Sequence, residues 1–158
     1  MPIRTTDKLN KDILLELARD SSQSAKILSE KLGVTRQTIA ARIAQLEKSG
    51  FVKGYKAKID YAALGYGTFF ILFLKIGSFD EALLQKALED FRASPHVVMD
   101  ASVTGEWDVV QVLAFKSTQE YDDYIARIRT KYGRTFRDSK SHAILKIFKS
   151  ADEWVPEP

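Results

Sequence analysis

Apolar residues recur at helical spacing through the first third of the chain. Leu9, Ile13, Leu14 and Leu17 form one stripe behind Asp7, an acceptor suited to the start of a helix. The polar run Arg19 to Gln23 interrupts the stripe. Ser24 then opens a second helix with Ala25, Leu28 and Leu32 inward, and Gly33-Val34 makes a tight turn. Thr35 caps a third helix, whose Ile39, Ile43 and Leu46 fall at i, i+4, i+7, and Gly50 stands where a helix ends. Phe51 to Ile59 predicts an extended segment, and Asp60 to Gly65 a connector.

The pattern then changes to alternating strands and helices. Phe69 to Ile76 predicts a strand. Phe79 to Ala93 predicts a helix with Leu83, Leu84, Ala87, Leu88 and Phe91 on one side, stopped by Ser94-Pro95. Val97–Thr104 and Trp107–Phe115 predict a hairpin around Gly105-Glu106. Thr118 is placed to cap a helix carrying Tyr121, Tyr124, Ile125 and Ile128 and ending at Gly133. Ala143–Phe148 is expected as the last strand, with a loose tail after it. The order βαββαβ is the ferredoxin-like split unit. The chain is therefore expected to be α+β: a helix-turn-helix module over 1–60, a connector at 61–65, a βαββαβ module over 66–150 and a tail at 151–158.

The first strand carries quaternary information. A sheet covered by helices on one face alternates apolar and polar residues, yet Phe69-Phe-Ile-Leu-Phe-Leu74 does not alternate. Something else must cover the second face, and a second copy of the same sheet is the economical answer. At least a dimer is expected.

Composition narrows the chemistry. The 158 residues include no cysteine and only two histidines, His96 and His142. Thiol nucleophiles, disulfides and cysteine-ligated metals are excluded, and neither a metal site nor a cofactor is expected. The longest apolar run, Phe69–Leu74, is too short to span a bilayer, and no signal-peptide pattern opens the chain. A cytoplasmic protein is expected. Charge is uneven: residues 1–60 carry 12 Lys and Arg against 7 Asp and Glu, while the rest carries 12 against 14. A basic first module on a mildly acidic second suits a polyanionic partner.

Two short helices joined by a glycine-containing turn place the second helix in a DNA major groove. The turn here is Lys31 to Thr35. Arg36, Gln37, Thr38 and Arg42 lie on the outward face of the following helix. Arginine reads guanine and glutamine reads adenine through paired hydrogen bonds. Thr35 and the free N–H groups behind it suit a phosphate. Lys53, with Lys56 and Lys58, is placed to follow a phosphate backbone. Each residue also has an ordinary structural role open to it: Arg42 is equally placed to pair with Glu47 or with a carboxylate of the first helix. Taken together, they favour double-stranded DNA.

The same residues carry a resemblance. Thr6-Asp7-Lys8-Leu9-Asn10-Lys11-Asp12-Ile13-Leu14 is similar to the opening pattern of the Lrp/AsnC (feast/famine) regulators, with Thr6 and Asn10 as departures. Gly33 to Arg42 and Leu46 to Tyr55 resemble that family's recognition region. Gly105-Glu106-Trp107-Asp108 resembles its hairpin motif, and Ser139-Lys140-Ser141 the segment entering its last strand. The resemblance implies a winged helix-turn-helix followed by a ligand-sensing βαββαβ domain, a transcription regulator, and assembly from dimers up to octamers. It also implies an amino-acid effector held near Gly105, Asp108, Ser139 and Ser141. Asp108 would meet the ammonium, while the Gly105 backbone and the two serines would meet the carboxylate. Sirohaem decarboxylases resemble the same family in both modules. An enzyme of that kind is the alternative, but the absence of carboxylates from Thr35 to Leu46 weighs against it.

Overall fold

Each of the first three helices begins on a side-chain cap. Asp7 accepts the Asn10 N–H at 2.9 Å ahead of α1 (Lys8–Arg19). Ser24 accepts the Ile27 N–H at 3.4 Å ahead of α2 (Ala25–Leu32). Thr35 accepts the Thr38 N–H at 3.1 Å ahead of α3 (Arg36–Lys48). Each cap satisfies one amide that the first helical turn leaves without a partner. Gly33 ends α2 at φ +68°, a left-handed conformation that favours glycine. The stripes meet in a core of Ile13, Leu28, Ile39 and Leu46, all 0–1% exposed, with Leu9, Leu14, Leu17, Ile43 and Val52 around it.

The structure is a computed structural model and describes residues 7–77 and 80–157. It separates into two compact units. The first joins the described parts of Met1–Ile59 and Phe148–Pro158; the second is Asp60–Ile147. The division differs from the expected one at the C-terminal end, because residues after 147 group with the helical unit. Within 151–158, expected as a loose tail, lies a short 3-10 turn, Ala151–Glu153, where the Glu153 carboxylate accepts the Ser150 N–H at 3.2 Å.

The second unit opens with a 3-10 turn, Tyr61–Leu64, and continues as β1 (Thr68–Ile76), α4 (Glu81–Ala93), β2 (Val97–Ser102), β3 (Val109–Phe115), α5 (Thr118–Tyr132) and β4 (Phe136–Ile144). The sheet order is β2-β3-β1-β4, antiparallel throughout. Phe70, Leu72 and Leu74 of β1 join Leu113 and Phe115 of β3 under the helices, against Ala87, Phe91, Tyr121, Tyr124 and Tyr132. Phe69, Ile71 and Phe73 project from the opposite face. There Ile71 pairs with Val112 and Phe73 with Val110, and all four are half-buried.

Several elements differ in their bounds from the sequence pattern; the hairpin strands are Val97–Ser102 and Val109–Phe115, each two residues shorter at the turn than expected. The last strand is Phe136–Ile144, not Ala143–Phe148. It is an edge strand whose residues 137–143 are all exposed, so its polar composition hides it. Leu145 and Phe148, which suggested a strand, lie beyond it and are exposed. The helix expected from Phe79 starts at Glu81 on an Asp80 cap, and Phe79 lies outside the described residues. The α5 cap is Ser117, which accepts the Glu120 N–H at 3.2 Å, with Thr118 as the first helical residue. The segment 51–59 has no strand pairing.

Candidate nucleic-acid interface

The capped start of α3 gathers the polar residues singled out from the sequence. Thr35 is exposed, and its hydroxyl lies 2.9 Å from that of Thr38. The cap takes up the Thr38 N–H, and the Ile39 N–H bonds the Thr35 carbonyl at 3.1 Å. The N–H groups of Arg36 and Gln37 lie ahead of the first intrahelical bond, where a helix start favours an anion. The Arg36 and Gln37 side chains are exposed. Among the described residues, neither they nor Lys53 enter an ion pair. No acidic residue stands in the first turn of α3.

Arg42 differs from its neighbours. Its guanidinium donates to the Asp7 carboxylate at 2.6 Å, so the residue that caps α1 also clasps α3. The Asp7 carboxyl is held below the usual carboxylate range, above all by the Asn10 N–H and further by Arg42, against a partial offset from desolvation. The pairing with a carboxylate at the first helix, left open by the sequence, is the one formed. Glu47 accepts instead from the Tyr55 hydroxyl at 2.7 Å, tying the segment after α3 back to its last turn. A hydroxyl eight residues past a surface glutamate gave no sequence signal.

The four residues expected to hold an effector are not gathered in one place within the chain. Gly105 is exposed at φ +111° in the β2–β3 turn, with open space around it, so its backbone conformation is what needs glycine. Asp108 accepts the Ile76 N–H at 2.7 Å and donates its own N–H to the Leu74 carbonyl at 3.1 Å, bracing the end of β1. Ser139 and Ser141 lie inside β4, opposite Leu74 and Leu72, rather than ahead of the strand. They therefore stand on the far side of β1 from Asp108, two strand spacings or roughly 10 Å away. Opposite Leu72 and Leu74, they face the helix-covered side of the sheet.

Trp107, inside the hairpin motif, packs on Phe73 at 5.9 Å between ring centroids, and the Lys75 ammonium bonds the Glu106 carbonyl. The turn is thus tied to the open face of the sheet. His142 meets Phe73 edge-on at 6.3 Å on that face. His96 stacks on Phe115 at 4.5 Å, as a packing residue. Among the described residues, no three His, Cys, Asp or Glu side chains are grouped as a metal site requires, and no helix is long and apolar enough to cross a membrane.

A family model described as winged helix-turn-helix DNA-binding matches residues 6–53. An uncharacterized HTH-type transcriptional regulator of Pyrococcus furiosus is 30% identical over 115 residues, covering 72% of this chain and 76% of that protein. A feast or famine regulatory protein from M. tuberculosis, solved as a complex with L-methionine, is 25% identical with a TM-score of 0.82, over 96% of this chain and 100% of that one. The chain belongs to the Lrp/AsnC family of transcriptional regulators. An AsnC family regulator from Agrobacterium tumefaciens shares the fold, with a TM-score of 0.84 at 22% identity over 92% of this chain and 94% of that one. As an Lrp/AsnC regulator the chain acts by binding DNA. The α+β fold, with a winged helix-turn-helix ahead of the sheet unit, is that of the family.

Proposed function

We propose that this regulator reads its operator through the N-terminal half of α3, as a self-associated assembly. One observation carries the reading: Arg36 and Gln37 are exposed beside a capped helix start, uncommitted to any partner among the described residues. Their side chains suit base edges. The amides of α3, the Thr35 and Thr38 hydroxyls and Lys53 suit phosphate. Arg42 is a positioning residue, since its guanidinium is engaged by Asp7. A second copy covering the half-buried apolar face of Phe69, Ile71 and Phe73 would supply the second reading head that a pseudo-palindromic site requires.

A gel shift on the duplex upstream of its own gene tests the reading. Arg36→Ala or Gln37→Ala should weaken specific binding by about 1–3 kcal/mol for a lost paired base contact. Lys53→Ala should weaken all duplexes alike. Unchanged affinity in all three variants would move the reading head elsewhere.

The methionine complex of the M. tuberculosis relative supports an amino-acid effector here too. We place it at the Gly105–Asp108 turn, with the remaining contacts supplied by a second copy of the chain; Ser139 and Ser141 stand apart from that turn. Calorimetry with methionine and the other amino acids tests this. Asp108→Asn keeps an acceptor for the Ile76 N–H while removing the charge, so it separates the brace from the ammonium contact. A loss of about tenfold or more is expected for a charge-assisted bond. Undiminished binding would remove Asp108 from the site.

A further inference from the structure

The charge of the second unit changes sign along its length. From Tyr61 to Ala126, ten Asp and Glu stand against four Lys and Arg; from Arg127 to Ile147, seven Lys and Arg stand against one Asp. The change falls within α5, which has Glu120 in its first turn and Arg129 and Lys131 in its last. The basic stretch continues through the turn into β4, the edge strand that pairs only with β1.

Local geometry puts several of these groups together. Arg129 lines a shallow cleft with Gly133, Phe136 and Ser139, so the flank of α5 that carries it faces β4. Arg134 lies in the turn between the two elements. Arg137 sits at the irregularity in the β1–β4 pairing, against Gly77. All three arginines are exposed, and among the described residues none enters an ion pair. Lys131 is different, being paired with Asp90. The one acid of the stretch, Asp138, accepts the Ser139 N–H at 2.8 Å. Ser139 and Ser141, opposite Leu74 and Leu72, are exposed on the helix-covered side, and among the described residues the outer edge of β4 has no neighbouring strand.

We propose that this β4 edge, formed by Arg129, Arg134, Arg137, Ser139 and Ser141, is a second DNA-binding surface that holds the phosphate backbone without reading sequence. The assignment rests on the chain acting at DNA. Guanidinium groups bind phosphate oxygens in pairs. Hydroxyls and unpaired backbone N–H groups complete phosphate contacts elsewhere in protein–DNA interfaces. Apolar or aromatic groups that would stack on bases are lacking among the five, so the surface suits the backbone of a duplex.

The test uses the full chain and random-sequence duplexes of 20 and 60 base pairs, titrated with salt. Each phosphate neutralised contributes about 0.9 to the slope of log affinity against log salt. The triple variant R129Q/R134Q/R137Q should therefore lower that slope by about 2–3 on the longer duplex, where one molecule can span further backbone. The triple lysine variant, which keeps the charge, should restore most of it, excluding a folding defect. An unchanged slope in the glutamine variant overturns the proposal. Polyglutamate displacing the 60-base-pair duplex as well as excess duplex does would also overturn it, in favour of an acidic protein partner. Arg36→Ala with Gln37→Ala, run alongside, should abolish preference for the operator and leave the random-duplex slope intact. If that variant keeps its preference, the α3 reading fails while the β4 result stands on its own.

Discussion

The two units solve the same problem on different scales. The helical unit closes around four fully buried side chains, and every one of its helices starts on a cap within three residues of the amide it satisfies. The sheet unit buries three times as many residues, seven of the twelve aromatic, on strands whose paired residues lie up to 75 positions apart in sequence. A small core with strong local signals gives a head whose shape depends on few contacts. A large core with non-local pairing gives a rigid platform, and it still leaves a row of apolar side chains on its second face. The contrast suits the roles proposed above, with α3 presented by the head and copies joined through the platform.

The largest effect should come from the parity of β1. Leu72 is 2% exposed under the helices, whereas Phe73 is half-buried on the open face. Leu72→Asp places an unpaired charge in the core and should unfold the sheet unit, a loss above about 4 kcal/mol. Phe73→Asp should leave the unit folded by circular dichroism but reduce the assembly to monomers by light scattering. A folded Phe73→Asp variant that still associates would assign self-contact to another surface.

Next is the head. Leu46→Ala removes one of four core side chains and should cost about 2–5 kcal/mol. Calorimetry should show the head melting earlier with the sheet-unit transition in place. A single transition shifted as a whole would mean that the units do not unfold independently.

How far the sequence revealed this follows from the same contrast. The caps at Asp7, Ser24 and Thr35, the stripes behind them and the φ-positive glycine at 33 are local, and all were legible. β4 was not, because an edge strand with exposed residues reads as polar. The separation of Ser139 and Ser141 from Asp108 depends on which strands flank β1, and sequence order does not state that. The Asp7–Arg42 pair spans 35 residues, so spacing alone left it as one of two choices.

A smaller effect is expected at the start of α3. Thr35→Ala deletes the acceptor for the Thr38 N–H and should cost about 1 kcal/mol of head stability by thermal melting. Thr35→Ser keeps the acceptor and should cost much less. Equal losses in both would mean that the threonine methyl, rather than the cap, matters.

The smallest effect at neutral pH should be in the platform, and its sign is opposite. The Tyr124 ring packs against Phe115 at 5.5 Å, and its buried hydroxyl lies beside the Ser94 side chain without a well-formed hydrogen bond among the described residues. Burial pushes the phenol up to about 12, with Asp100 adding to the shift and Ser94 and Arg127 opposing it. Tyr124→Phe keeps the ring and removes an unsatisfied polar group, so it should be neutral or stabilising by up to about 1 kcal/mol. The pH dependence follows from the raised value. The contribution of neutral Tyr124 is fully present below the unfolded value near 10 and is lost as pH rises towards about 12. Tyr132 and Tyr55 are also raised, so both proteins should weaken in alkali. The difference between them isolates Tyr124: the phenylalanine variant should lose less stability between pH 10 and 12 in denaturant titrations. Parallel curves would show that burial does not raise the Tyr124 phenol, and a destabilised variant at pH 7 would show that the hydroxyl has a partner that contributes to the platform.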